Sequence, residues 1–333
     1  MSYNILGITP GHNGSVALVS DGKLIYYLEE ERLSKIKYDS TPFKTILSLL
    51  PKYNINEIVI TGTRIIEPDI YSHLIKKYQF SLTTIPFWDK HHLSHASNTF
   101  YNSGFDKCAI LIVDTAGSTC SFNNKNKENN ITSNIHIFQT HYKSYNNHSN
   151  LDYKDNTTNI SSNSNLSKTY EGITQLFGWG MQESGKTMGL SSYGKLNKNI
   201  PKLFIDGKGN PKYFKSVYGK GALANFNLSI DSKEWYYNPS KITQFEKNLA
   251  YHIQYESEKE IFKLVEKTLD LTNLNKIACA GGFFLNCVCN YKLLKKFPSV
   301  KFYFDPTSHD GGNSVGAALY RWYERSGDTT IRP

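Results

Sequence analysis

Four times along the chain an apolar segment runs into a short loop rich in glycine and carrying His, Asp or Asn. These loops are "TPGHNGS" at 9–15, "VDTAGST" at 113–119, "AGGFFLN" at 280–286 and "SHDGGNS" at 308–314. A short apolar run bounded by such a loop reads as a buried strand. Glycine there lets backbone amides approach a ligand, and a following helix N-terminus favours an anion. Taken singly, each loop is a turn. Four in one chain point to a two-lobed α/β fold with a nucleotide in the cleft between the lobes.

The segments between the loops fill in that outline. Apolar residues alternate over residues 3–28 around Asp21-Gly22, which predicts strand, loop, strand, tight turn and strand. "PFKTILSLLPKY" and "HHLSHASNTFYNSG" read as helices, the second ending near Gly104, while "INEIVITGT" and "KCAILIVDTAGST" read as strands. Residues 244–272 have the apolar spacing of one long amphipathic helix. After it, "NKIACAGGFFLNCVCNYKLLKKF" reads as strand, turn, helix, and "VKFYFDPTSHDGGNSVGAALYRWYERSG" as strand, loop, helix. Residues 121–167 are rich in Asn and Ser and read as an insertion holding only the short strand-like "IHIFQTHY". Residues 197–240 carry no assignable pattern.

With 39% hydrophobic residues in 333, the chain has enough apolar material for a large core. No apolar run approaches the length of a membrane span, and no basic leader precedes an apolar stretch at the N-terminus. Five cysteines without a CxxC pair read as reduced thiols. Together these features predict a cytoplasmic protein without a membrane partner. The formal net charge of +9 favours an anionic partner: a nucleotide, a phosphorylated metabolite or nucleic acid. The lysines are scattered, however, and a solvated surface explains them equally well.

Several side chains stand out. His91 and His95 lie one helical turn apart and so share a face, where they can offer two imidazoles to one metal. The alternative is a pair of satisfied core or surface histidines. His92 should point away from both. Asp310, in a distant loop, is a candidate third ligand; its alternative is a helix N-cap. Two histidines and a carboxylate suit Fe(II) or Zn(II) with positions left open. Gly185-Lys186-Thr187 tempts a P-loop reading, set aside because no strand precedes it. Lys186 remains a phosphate contact or a surface lysine. Gly281 and Gly282 close a strand-to-helix turn, with Asn286 placed to read a nucleoside or simply to shape the turn. His12 is a candidate general base or an ordinary loop histidine. The run from Glu29 to Arg32, with Lys35 and Lys37, is a charged strand end or a cationic wall facing a phosphate or carbamate.

In this order, "GHNGSVALVSDGKL", "LEEERLSKIKY", "HHLSHA", "VDTAG", "GKTMGLSSYG", "AGGFFLNCVCN" and "DPTSHDGGNSVGAAL" resemble the O-carbamoyltransferases of the nodulation and tobramycin type. Their catalytic part is similar to the Kae/TsaD proteins, within the actin/hexokinase/Hsp70 (ASKHA) superfamily. The resemblance spans nearly the whole chain apart from roughly 121–167 and 197–240. It implies two RNase H-like lobes: residues 1–106 with 313–333, and residues 107–312, the latter carrying insertions around 121–167 and 197–240.

The resemblance also implies a chemistry. ATP and carbamoyl phosphate yield carbamoyl adenylate, and the carbamoyl group then passes to an acceptor hydroxyl. That hydroxyl belongs to a sugar or natural product, or to a hydroxymethylated nucleic-acid base, which would make this a DNA modification enzyme. By position, His91, His95 and Asp310 match the family's iron(II) site. Gly281, Gly282 and Asn286 match its nucleoside turn, and Gly185, Lys186 and Gly189 its "GKxMGL" segment. Asp114 and Gly117 match the phosphate loop. His12 matches the histidine near the acceptor, and Arg32 and Lys37 the basic end of "EEERxxxxK". Two departures stand out: the first loop reads His12-Asn13 where the family has His-Asp, and Asp114-Thr115-Ala116-Gly117 replaces Asp-Gly-x-Gly. Family members continue past this point into a YrdC-like domain that makes the adenylate. A separate YrdC-like subunit, a truncated chain and a chain restricted to the transfer step are all consistent with that. The alternative function is a nucleotide-binding regulatory protein of the same fold without turnover; a sugar kinase of the superfamily fits less well, since it needs no HxxxH metal site.

Overall fold

The computed structural model describes residues 2–61, 68–85, 87–115, 119–121, 128–130, 133–139, 146–147, 166–216, 222–224, 226 and 241–327. Strands β1 (Asn4–Thr9), β2 (Ser15–Ser20), β3 (Lys23–Glu29), β4 (Glu57–Thr61) and β5 (Ser81–Ile85) form one sheet in the order β3-β2-β1-β4-β5. Further along come β6 (Lys107–Val113), a short hairpin of β7 (Thr119–Ser121) and β8 (Glu128–Asn130), then β9 (Ser133–Gln139) and β10 (Asn146–Asn147). Two more short hairpins pair β11 (Phe204–Ile205) with β12 (Lys208–Gly209) and β13 (Phe214–Ser216) with β14 (Ala222–Ala224). With β15 (Lys276–Ala280) and β16 (Lys301–Phe304), the second sheet runs β10-β9-β6-β15-β16.

The two sheets share one topology. In each, the central strand pairs antiparallel with the next sheet strand in sequence and parallel with the fourth, which pairs parallel with the fifth. Every residue of β1 and β4 is buried, as expected of interior strands covered on both faces. Edge strand β3 is only half covered. Asp21 and Gly22 turn β2 into β3 with φ of 47° and 79°, the two positive values a two-residue hairpin of this hand requires.

Strand β9 overlaps the strand-like "IHIFQTHY" of the sequence reading. It lies within the segment read as an insertion, yet it pairs along its whole length with central strand β6. Its apolar residues Ile135 and Ile137 alternate with Asn134 and His136, the period of two that made the segment strand-like in sequence.

The helices are α1 (Glu31–Ser34), α2 (Phe43–Leu49), α3 (Pro68–Tyr78), α4 (Phe87–Asn102), α5 (Leu166–Leu176), α6 (Ser184–Ser191), α7 (Gln244–Thr272), α8 (Cys287–Lys296) and α9 (Asn313–Ser326). Helix α9 packs on β1, β2 and β4 with one side and on α4 with the other; α4 in turn packs on β6 and β15. Two glycines make this stack possible. A Cβ on Gly7 would lie 2.0 Å from the Ser314 carbonyl oxygen, and one on Gly316 would lie 1.8 Å from that of Ser94. The stack places the N-terminal half of α4 beside the carboxyl ends of β6 and β15, the position where open α/β sheets bind ligands. Among the described residues, no helix is long and apolar enough to cross a membrane.

Candidate metal and nucleotide site

Helical spacing brings His91 and His95 of α4 onto one face, both fully buried. Asp114 follows the last residue of β6, and Asp310 opens the 3-10 turn ahead of α9. His91 Nε2 lies 3.1 Å from Asp114 Oδ2 and 3.5 Å from Asp310 Oδ1. His95 Nε2 lies 3.6 Å and 3.3 Å from the same two oxygens. One donor atom from each of the four residues falls within 4.8 Å of all the others. The Asn313 amide nitrogen sits 3.4 Å from His91 Nδ1 and 3.3 Å from His95 Nε2.

Burial disfavours charge on all four residues, and mutual pairing overcomes it. Burial would lower the His91 pKa, but the Asp310 charge and the hydrogen bonds to both carboxylates push it up to about 9. His95 is likewise raised against burial by Asp114 and Asp310. Burial opposes ionisation of both Asp114 and Asp310, and the Asp310 charge adds to that at Asp114, yet the histidines hold Asp114 below the usual carboxylate range, and Asp310 well below it. Two carboxylates kept ionised, one buried and one half-buried, with two buried imidazoles turned towards them, form a donor set that fits a borderline divalent cation such as Fe(II) or Zn(II).

His91, His95 and Asp310 are thus together, joined by Asp114, which the sequence reading assigned to a phosphate loop. The signal for Asp114 was its place at the end of a buried strand. His92 is buried but stands outside the four-residue cluster, its ring 5.7 Å and 6.4 Å from those of His91 and His95. Asp310 caps no helix; His309 caps its turn instead, accepting from Gly311 N–H.

The glycine turn backs onto the cluster. Gly281 has φ +97°, and a Cβ there would lie 2.2 Å from the Val113 carbonyl oxygen, so glycine alone fits. Gly282 N–H donates to Asp114 Oδ1 at 3.3 Å. Asn286 is committed inside the protein: its Oδ1 accepts from Cys289 N–H at 3.0 Å, and its Nδ2 donates to Gln254 Oε1 at 2.9 Å. It shapes the turn and caps α8. Gly185 and Gly189 sit one turn apart on α6, with nothing described within 4 Å of a Cβ at either, which leaves an open face. Gly180 stands at the P-loop distance from Gly185 and Lys186, but it opens a 3-10 turn and no strand leads into it. Lys186 Nζ pairs with Glu183 at 2.7 Å. Gly117 lies outside the described residues.

His12 reaches the cluster, its Nε2 3.3 Å from Asp310 Oδ2. Arg32 and Lys37 do not. Arg32 pairs with Glu31 at 3.5 Å, and Lys37 lies 3.9 Å from Glu183 and over the Tyr38 ring. Sequence reasoning also missed Glu171 of α5, whose carboxyl accepts from the Thr115 hydroxyl at 2.6 Å, and His309, 3.3 Å from Glu29.

Comparison with known proteins gives this site a context. The chain is 25% identical over 340 residues to the nodulation protein NolNO of Sinorhizobium fredii, covering 92% of this chain and 46% of that one. It is 24% identical over 379 residues to an uncharacterized protein of Synechocystis, covering 96% of this chain and 57% of the relative. The chain therefore spans about half the length of these curated relatives. Among solved structures, HypF of T. kodakarensis superposes with a TM-score of 0.54 at 9% identity, over 98% of this chain and 48% of that one. A full-length HypF in a phosphate- and nucleotide-bound form superposes with a TM-score of 0.51 at 12% identity, over 98% of this chain and 56% of its own. The fold is accordingly the two-lobed α/β fold of the ASKHA type. The model of the carbamoyltransferase N-terminus family matches residues 55–319, so the chain belongs to the family of carbamoyltransferase N-terminal domains.

Proposed function

We propose that this chain carries out the transfer step of an O-carbamoyltransferase, moving a carbamoyl group from carbamoyl adenylate to an acceptor hydroxyl. The observation that carries the reading is the convergence of His91, His95, Asp114 and Asp310 beside the Gly281-Gly282 turn, with His12 at its edge. A divalent metal held by those four residues, Fe(II) first among candidates, would supply Lewis-acid polarisation of an acyl or phosphoryl oxygen. The glycine turn and the open face of α6 at Gly185 and Gly189 bind the nucleotide. His12 accepts the proton as the hydroxyl oxygen attacks the carbamoyl carbon; the carbon–oxygen bond to the phosphate breaks, and AMP leaves. The adenylate, derived from ATP and carbamoyl phosphate, is supplied by a YrdC-like unit. The acceptor is a sugar or natural-product hydroxyl, or a hydroxymethylated base in nucleic acid. The division into lobes, residues 1–106 with 313–333 and residues 107–312, is part of this reading and is supported by one five-stranded sheet in each.

The test supplies preformed carbamoyl adenylate, ferrous iron and panels of both acceptor classes, and reads the mass gain of one carbamoyl group. Transfer is expected with one class. H95A and D114N should weaken iron binding by more than about tenfold and abolish transfer. A second reading, a nucleotide-binding regulator, draws on Asn13 standing where the family has Asp. It predicts tight nucleotide binding with no transfer to any acceptor, and that result would reject the enzymatic reading.

A further inference from the structure

Away from the cluster, helix α7 carries a row of polar side chains that holds the strap following α6. Gln244, Asn248, His252 and Glu256 stand four apart, so they line one face of the helix. The strap, residues 193–204, is tied to that face rung by rung. Gln244 Nε2 donates to the Tyr193 carbonyl at 3.3 Å and to Asn248 Oδ1 at 2.9 Å. Asn248 Oδ1 also accepts from Lys195 N–H at 3.0 Å. His252 Nε2 accepts from Asn197 N–H at 2.8 Å. Glu256 Oε2 accepts from Leu203 N–H and Phe204 N–H at 2.9 Å and 3.2 Å. A Cβ on Gly194 would lie 2.0 Å from the Lys247 carbonyl oxygen, so the strap meets α7 there backbone to backbone. The rungs give partners to backbone amides that lie outside any long strand or helix.

We propose that His252 is a pH-sensitive latch and a positioning residue: its neutral ring holds the strap, and through the strap the open face of α6, while protonation releases Asn197. A backbone N–H only donates, so the Asn197 contact needs the Nε2 lone pair, which a protonated ring lacks. His252 is buried, and burial lowers its pKa from the ordinary 6.5. The folded value lies below the unfolded one. The rung therefore holds fully above about pH 6.5 and is lost as pH falls through the folded value. The ionisable groups around it are Glu256, 3.9 Å from Nδ1, and the Tyr251 ring at 6.5 Å on its own helix, with Lys195, Lys198 and Lys202 on the strap. On the helices packed against α7, Lys168 bears on Glu171, whose carboxyl holds Thr115, while Lys186 pairs with Glu183 and Lys292 with Glu258. Burial raises the Glu256 pKa, so proton uptake there does not favour opening. Acid thus frees the end of the strap next to α6 and leaves the Leu203–Phe204 end seated. The latch stands on the hydrogen bonds; its effect on nucleotide rests on the carbamoyl-transfer reading, in which Gly185 and Gly189 of α6 bind that nucleotide.

Hydrogen-exchange mass spectrometry of the full chain, corrected for intrinsic exchange, tests the latch on peptides spanning residues 193–199, with β1 as internal reference. In the parent, protection of the strap should fall by roughly tenfold between about pH 7.5 and about pH 5.5, with β1 unchanged. H252Q offers an amide oxygen that accepts from Asn197 and does not titrate, so its protection should change by less than about twofold over the same range. H252L offers no acceptor, and its strap should be poorly protected at both values. In the transfer assay at about pH 7.5, KM for carbamoyl adenylate should rise about three- to tenfold in H252L with kcat little changed, and stay at the parent value in H252Q. Parent protection that ignores pH, a fall shared by H252Q, or loss of β1 protection at the same pH overturns the latch. The expected exchange with an unaltered KM in H252L overturns the positioning of α6. If exchange follows the expected pattern while no chain transfers carbamoyl, the latch stands and the carbamoyl-transfer reading falls.

Discussion

At the scale of single residues, context rather than identity sets each role. Three consecutive glutamates do three different things. Glu29 receives the Tyr27 hydroxyl and lies 3.3 Å from His309 Nε2. Glu30, buried, accepts from Lys44 N–H, Thr45 N–H and the Thr45 hydroxyl at the start of α2. Glu31 accepts from Tyr38 N–H. In the sequence the same run reads as a charged strand end or a cationic wall, because nothing local tells three carboxylates apart. Glu171 is a similar case. Burial raises its pKa from 4.5 to about 7; the Thr115 hydroxyl bond opposes this and the Asp114 charge adds to it. The folded value lies above the unfolded one, so the folded state binds this proton more tightly. Its stabilising contribution is full below the unfolded pKa and is lost as pH rises through about 7. In metal-free protein, the stability of the parent relative to E171Q should therefore drop between about pH 5 and pH 8, by at most about 3 kcal/mol. Thermal or urea denaturation across that range measures it, and a constant difference would count against a buried, protonated acid.

At the scale of elements, the long helix and the strand–loop phrases are legible in sequence because each carries enough periodic positions to show its period. Helix α7 begins where the capping box of Thr243 and Glu246 stands, and it buries the stripe that its apolar spacing marks. Strand β9 shows in sequence only as the strand-like "IHIFQTHY"; two isoleucines in an Asn-rich stretch give a period of two too little length to reveal that it joins the central sheet. The contact between α4 and α9 is also invisible in sequence: Gly316 matters only because Ser94 crosses it, 222 positions earlier in the chain. In G316A the methyl group would force the helices apart, at a cost of about 1–3 kcal/mol. Because α4 carries both histidines, the same variant should weaken divalent-metal binding, as isothermal titration would show. A stability loss with unchanged metal affinity would mean that the helices part without moving the histidine face.

At the scale of the whole molecule, the two sheets repeat one topology, and the cluster gathers its residues from elements associated with both. Its donors come from α4, from the end of β6 and from the turn before α9. A cation bound there stabilises the native arrangement alone, since the unfolded chain scatters those donors. Metal at about 100 times its Kd should then add about 2.7 kcal/mol. Chelation should lower the melting temperature, and re-addition of iron(II) or zinc should restore it. A melting temperature indifferent to both would argue against the four residues acting as one site. What the sequence settled unaided was the type of the elements flanking the four glycine loops, the α/β class and the residue types able to hold a cation, because periodicity and glycine placement act over a few neighbouring positions. Tertiary structure alone decided that Asp114 joins the histidines, that Asn286 turns inward, that Arg32 and Lys37 stay away, and that His12 reaches Asp310. Those outcomes depend on which distant segments meet across α4 and α9, and on the direction of each hydrogen bond once they are buried together.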